Sequence, residues 1–130
     1  MRVLLSIRPD YAQKIFDGEK RYEFRRTIFK QKGIRTAVVY VSHPISKIVG
    51  EFYIEEVISD SLVKLWNHTK EAAGISEEVY FHYFNGKNIG YAMKISKAIK
   101  YKKPLCIKEH WGISPPNRSC TLIKLRARQS

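Results

Sequence analysis

The sequence predicts an α+β fold: mostly antiparallel strands with helices packed on one side. The apolar patterning switches repeatedly between strand and helix periods, but never with the regular βαβ alternation of a doubly wound sheet. The elements read β, α, β, β, β, α, α, β, β along the chain. At 130 residues one domain can bury a real core, and a small curled barrel is the natural way to remove exposed strand edges. No repeat, low-complexity tract or linker divides the chain, so residues 1–130 are expected to form a single domain.

Val3 to Ile7 is a short apolar run that suits a buried strand. Pro9 follows as the first residue of a helix, where its missing N–H costs nothing. Tyr11, Ala12, Ile15 and Phe16 keep helical spacing, and Gly18 takes the position after the helix end. A charged strand runs from Arg21 to Thr27, and Lys30-Gln31-Lys32-Gly33 is a polar turn. Thr36 to Val41 is β-branched and apolar throughout, as in a central strand, and Ser42-His43-Pro44 ends it.

Ile48 to Ile58 is a long strand. Gly50 marks a bulge or a close approach, and imperfect alternation over Phe52 to Ile58 predicts a bend. Asp60 or Ser61 caps a helix carrying Leu62, Leu65, Trp66 and Thr69 that ends near Gly74. A second short helix opens with Ser76-Glu77-Glu78 and places Val79, Tyr80, Tyr83 and Phe84 on one face. Both helices read as packing elements. Tyr91 to Tyr101 is a strand, with Lys97, Lys102 and Lys103 extending a basic edge that also blocks edge-to-edge aggregation. Leu105 to Trp111 is a helical turn, Pro115-Pro116 an extended stretch, and Cys120 to Leu125 the last strand.

Composition narrows the function classes. Lys and Arg number 24 against 12 acids, a net charge of +12, and 44% of residues are hydrophobic, so this is a folded globule with a strong positive field. Such a field favours polyanions, nucleic acid first and an anionic membrane second. No helix combines a basic face with an exposed apolar one, so no membrane partner is expected. Cys106 and Cys120 form no CxxC pair, and His43, His68, His82 and His110 are scattered, so neither metal nor cofactor is expected. The apolar run near Met1 is too short for a signal peptide, which makes the cytoplasm the expected location.

The stretch Gly18 to Arg26 carries the most functional information. Gly18 ends the helix, Lys20 sits in the turn, and Glu23 and Arg25 follow at strand spacing. Alternation sends Tyr22 and Phe24 inward and Arg21, Glu23 and Arg25 outward on a shared face. Several charged groups are thereby aimed at one spot, as recognition of an anionic or polar planar ligand requires.

Gly18, Lys20, Glu23 and Arg25 form the signature G-x-K-x-x-E-x-R, which resembles the ASCH domain family of the PUA-like superfamily. The similarity extends to Leu5-Ser6-Ile7-Arg8-Pro9-Asp10-Tyr11-Ala12, Val49-Gly50-Glu51-Phe52, Gly74-Ile75-Ser76 with Tyr83-Phe84, Gly90-Tyr91-Ala92 and Pro104-Leu105. These pieces look like small stand-alone prokaryotic members. The resemblance implies a PUA-like barrel of about five or six strands, with the signature in a cleft between barrel and helices. It also implies RNA or other nucleic acid as partner and possible regulatory roles, since some members are described as transcription coregulators. Other members hydrolyse acetylated cytidine or have been assigned ribonuclease activity. The amidohydrolase type is expected to use a Lys, a Thr three residues on and a later Glu; Lys20 matches, but Glu23 stands at the Thr position. Where stand-alone members tend to show Pro-Pro-Gln-Ser, this chain has Pro115-Pro116-Asn117-Arg118-Ser119.

Two function classes follow. As a binding module, the chain uses Lys20, Arg21, Arg25 and Arg26 on phosphates, and Glu23 either accepts from an exocyclic amine or orients Arg25. Tyr22, Tyr40 or Tyr91 stacks on a base, Ser42 and Tyr91 complete the nucleic-acid set, and affinity falls steeply with salt. As a hydrolase of RNA or a modified nucleoside, it uses Lys20 and Glu23 as catalytic candidates, with Glu51 a further carboxylate and Ser42 a hydroxyl. Recognition is the preferred reading. Lys20→Ala and Arg25→Ala are expected to weaken binding without unfolding the domain.

Overall fold

A computed structural model describes residues 1–112 and 121–123. Its centre is set by strands whose apolar runs are buried on both faces. β1 (Arg2–Ile7) lies parallel to β3 (Thr36–Val41), with Val3 opposite Ala37 and Ile7 opposite Val41. The remaining pairings are antiparallel. β3 pairs with β4 (Lys47–Ser61), β4 with β5 (Ile89–Leu105), β5 with β2 (Tyr22–Arg25), and β1 with β6 (Thr121–Ile123). The strand order is β2-β5-β4-β3-β1-β6.

Among the described residues this ladder runs open from β2 to β6, so backbone hydrogen bonds do not close the expected barrel. A side chain spans the gap instead, because Arg25 of β2 donates to the Ser6 carbonyl of β1 at 3.1 Å. The bend expected in β4 is present as register shifts at Tyr53/Ile54 and Ile54/Glu56. Gly50 is indeed a close-approach point, since a Cβ there would overlap the Ile99 carbonyl and lie 2.7 Å from the Phe16 ring.

α1 (Pro9–Phe16) buries Ala12 and Ile15 against Val3, Leu5, Val39 and Phe52. α2 (Leu62–Thr69), one 3-10 turn (Lys70–Ala72) and α3 (Glu77–Tyr83) close an aromatic cluster on β2. There Phe24 meets Tyr80 and Phe84 edge-on, at 5.2 and 6.1 Å between ring centres. Ser76 caps α3 by accepting from the Val79 N–H at 3.2 Å.

α4 (Ile107–Trp111) corrects the expectation that all helices share one side. Ile107 packs with Leu4, Val38, Tyr40 and Ile48. Those strand residues alternate with the ones beneath α1, so α4 covers the opposite face. The predicted final strand is described over Thr121–Ile123; Cys120, Leu125 and the segment 115–119 lie outside the described residues. Among the described residues no helix is long and apolar enough to cross a membrane.

Candidate functional site

A cleft of about 780 Å³ opens where β1, β2, α1 and α3 converge. The end of β1 and the start of α1 supply Ser6, Ile7, Arg8 and Tyr11. The α1–β2 turn and β2 supply Lys20, Glu23, Phe24 and Arg25. Ser42 lies just past β3, where its N–H donates to the Ile7 carbonyl at 3.1 Å. Ile75, His82 and Tyr83 complete the lining from the α3 side.

Lys20 is almost fully buried, with 2% of its surface exposed. Its Nζ donates to the Ala73 carbonyl at 2.7 Å and lies 4.8 Å from the Phe24 ring centre and 5.4 Å from that of Tyr11. The loop after the 3-10 turn is gripped by three successive carbonyls. Ala72 accepts from the Arg21 N–H, Ala73 from Lys20, and Gly74 from the Lys14 Nζ at 3.1 Å. Gly74 has φ +70, and a Cβ there would sit 2.5 Å from the Lys20 Cβ. Only glycine combines that backbone with that approach. Burial lowers the Lys20 pKa from 10.5 to about 8, with Glu23 opposing the shift and Lys14 and Arg25 adding to it.

Glu23 and Arg25 are each less than a tenth exposed and form an ion pair of 2.8 Å between Oε2 and a guanidinium N–H. They occupy the same face of β2 two residues apart, as strand geometry dictates. With Phe24 packed into the aromatic cluster on the other face, both sides of β2 are covered. The mouth of the cleft is more polar. Arg8 is exposed and lies 5.3 Å over the Tyr11 ring, paired loosely with Asp10 at 3.4 Å. The Tyr83 hydroxyl donates to the Phe24 carbonyl at 3.2 Å, and burial raises its pKa. The Lys, Arg, Asp and Glu side chains of the lining are Arg8, Lys20, Glu23 and Arg25.

The structure brings Lys20, Glu23, Arg25 and Ser42 together, and leaves the other sequence candidates elsewhere. Arg21 is exposed and outside the cleft, so the shared outward face does not exist. Arg26 is spent on the end of α3, donating to the Tyr83 and Asn85 carbonyls at 2.7 and 2.9 Å. Tyr91 pairs opposite Arg25 on β5 and does not line the cleft. Tyr22 packs beside the aromatic cluster, and Tyr40 is buried under α4. Glu51 is buried on that same far face, accepting from the Tyr101 hydroxyl at 2.6 Å. Arg8, Tyr11, His82 and Tyr83 line the cleft without having been site candidates, although Arg8, Tyr11 and Tyr83 fall in segments that carry the family resemblance. His82 and Tyr83 sit on a helix read as pure packing, though Tyr83 is one residue from the fully buried Phe84. Among the described residues no cluster of His, Cys, Asp and Glu could hold a metal.

A profile of the ASCH domain family matches residues 5–105. The chain belongs to this family. An ASCH domain-containing ribonuclease of Zymomonas mobilis is 30% identical over 83 residues, 64% of this chain and 56% of that protein. The large ribosomal subunit protein uL22 of two Ureaplasma parvum strains is 34% identical over 109 residues, or 83% of this chain. This chain spans only 35% of that protein's length. Crystal structures of the Zymomonas mobilis ASCH protein, unsubstituted and in two single-residue variants, match with a TM-score of 0.87 at 25% identity. They cover 95% of this chain, and 87% of the unsubstituted chain and 88 and 90% of the two variants.

Proposed function

We propose that this ASCH domain recognises RNA through the cleft centred on Lys20, Glu23 and Arg25. One observation carries the reading: a buried, hydrogen-bonded set of Lys20, Glu23 and Arg25 faces a cavity that Arg8 also lines, in a chain of net charge +12. Burying charge is costly, and a fold without use for it would fill this space with apolar side chains. Arg8 and Arg25 supply phosphate or base-edge contacts, and Tyr11 offers a ring for stacking. On this reading the curled sheet is a PUA-like barrel left open in its backbone ladder, residues 1–130 act as one domain, and the protein works in the cytoplasm.

Lys20 supports a second reading, hydrolysis. With its pKa lowered to about 8 by burial, Lys20 carries far more neutral amine near neutral pH than an ordinary lysine. Such an amine can take the proton of a ribose 2′-hydroxyl as its oxygen bonds to phosphorus and the P–O5′ bond breaks. The ribonuclease relative from Zymomonas mobilis points the same way.

Fluorescence anisotropy of labelled single-stranded and hairpin RNAs, followed by a gel, decides between them. Arg8→Ala is the chosen binding variant because Arg8 is exposed and its loss threatens no core. Lys20→Met tests the interior. Salt-sensitive binding weakened by both variants, with intact RNA, establishes recognition. Shortened RNA that Lys20→Met abolishes establishes hydrolysis. Binding that neither variant alters refutes the cleft.

A further inference from the structure

The positive charge of this chain is segregated. Between Glu78 and Glu109 the sequence holds seven lysines and no acid. β5 carries most of them. Its first half is paired on both sides, with β2 over Tyr91 to Lys94 and with β4 throughout. Lys94 is neutralised there by Glu55 at 3.0 Å. Beyond Ile95, β5 pairs with β4 alone among the described residues. There Lys97, Lys100, Lys102 and Lys103 are all exposed, and none forms an ion pair among the described residues.

The geometry at this end is irregular. Lys100 pairs opposite Gly50 and Leu105 opposite Ile48, so four residues of β5 bulge against Val49 alone. The Tyr101 hydroxyl anchors the bulge to Glu51 at 2.6 Å, while Lys102 and Lys103 are thrown outward. Lys97 and Lys100 lie opposite Tyr53 and Gly50, about 10 Å apart at about 3.3 Å per residue, and the bulge sets Lys102 and Lys103 beside them. The strip also leads toward the cleft. Exposed Lys47 at the start of β4 pairs opposite Val41, the residue before the cleft-lining Ser42.

We propose that the lysine strip on the second half of β5 is a phosphate-binding track, separate from the cleft, that holds an RNA strand whose end or unpaired nucleotide enters the cleft. This rests on the RNA reading above. An RNA backbone is favoured over a membrane or a protein because no large apolar side chain from residue 90 to 112 is exposed among the described residues. Membrane insertion and protein docking both need such an anchor, whereas phosphate contacts need only charge.

The test is the full-length variant Lys97→Gln/Lys100→Gln/Lys102→Gln/Lys103→Gln beside Lys20→Met. Anisotropy is measured across a salt series with RNAs of about 20 and about 4 nucleotides. The track predicts that the quadruple variant loses affinity for the long RNA, with the slope of log K against log salt shallower by up to ~3, at ~0.7 per phosphate. Its affinity for the short RNA should stay within ~2-fold of wild type, whereas Lys20→Met weakens both. If the quadruple variant keeps the wild-type slope while Lys20→Met still weakens binding, the track is refuted and the cleft reading stands. Self-association of the variant with unchanged RNA binding also refutes the track and assigns the lysines to edge protection. If wild type binds neither RNA, the RNA reading itself fails and takes the track with it.

Discussion

Gly74→Ala isolates what holds Lys20 in place. The residue has φ +70, a region that costs an alanine about 1–2 kcal/mol. Stiffening of the unfolded chain adds about 0.4–1 kcal/mol to that penalty's opposite side, favouring the variant. The new Cβ would also sit 2.5, 2.6 and 3.0 Å from the Lys20 Cβ, Cγ and Cδ, whereas comfortable carbon contacts lie at about 3.5–4.0 Å. Lys20 has little freedom to retreat. Its Nζ is bound to the Ala73 carbonyl, and the Phe24 and Tyr11 rings flank it. Overpacking of this kind costs about 1–3 kcal/mol, which brings the net destabilisation to about 3 kcal/mol. Gly86→Ala is the control. Gly86 has φ +87 with nothing within 4 Å of its would-be Cβ, so that variant bears the backbone strain alone. Urea unfolding of both should separate them by about 2 kcal/mol, and only Gly74→Ala should also weaken RNA binding. Equal destabilisation of the two would mean that Lys20 yields freely, and that the close approach does not position it.

Lys20 also makes stability depend on pH. Its folded pKa of about 8 lies below the usual 10.5, so the unfolded chain binds more protons between those values and stability rises with pH across that window. The gain approaches about 3 kcal/mol, and Lys20→Met should flatten it; parallel pH profiles for the two proteins would sink the assignment. Arg25→Ala strands the buried Glu23 carboxylate and should cost about 3–5 kcal/mol, against the sequence-based expectation of an intact fold. Adding Glu23→Gln should restore part of that, as a double-mutant cycle in urea will show. Gly50→Ala, with its Cβ against the Ile99 carbonyl and the Phe16 ring, should cost at least about 2 kcal/mol in the same assay and leave cleft chemistry unchanged.

Element order was legible because local signals agreed with the global fold. Pro9 and Gly18 bracket α1, Ser76 caps α3, and the β-branched, uninterrupted apolar run Ala37 to Val41 suits a strand buried on both faces. What periodicity cannot report is which face of an element is covered, and by what. Glu23 and Arg25 look outward on any strand template; only the approach of β2 to the end of β1 makes them interior. Arg26 looks like a phosphate ligand until the end of α3 is seen to consume it. His82 and Tyr83 share a short helix with the core residue Tyr80, so an aromatic stripe read as packing also hides a cleft wall. The signature spacing captured the centre of the site, and tertiary contact decided its boundary.

Glu23 is where the two function classes diverge most sharply. The resemblance places a threonine there in the amidohydrolase type, a hydroxyl that can neither neutralise Arg25 nor oppose the depression of the Lys20 pKa. In this chain the carboxylate does both, holding Arg25 at 2.8 Å and working against burial at Lys20. A neutral residue in its place would leave two buried cations facing each other and push Lys20 further toward the free amine, the form a general base needs. The carboxylate therefore trades basicity at Lys20 for a charged, ordered cleft floor. Charge and order are what recognition of a polyanion draws on, and the retained fraction of free amine is what leaves hydrolysis within reach of the same residues.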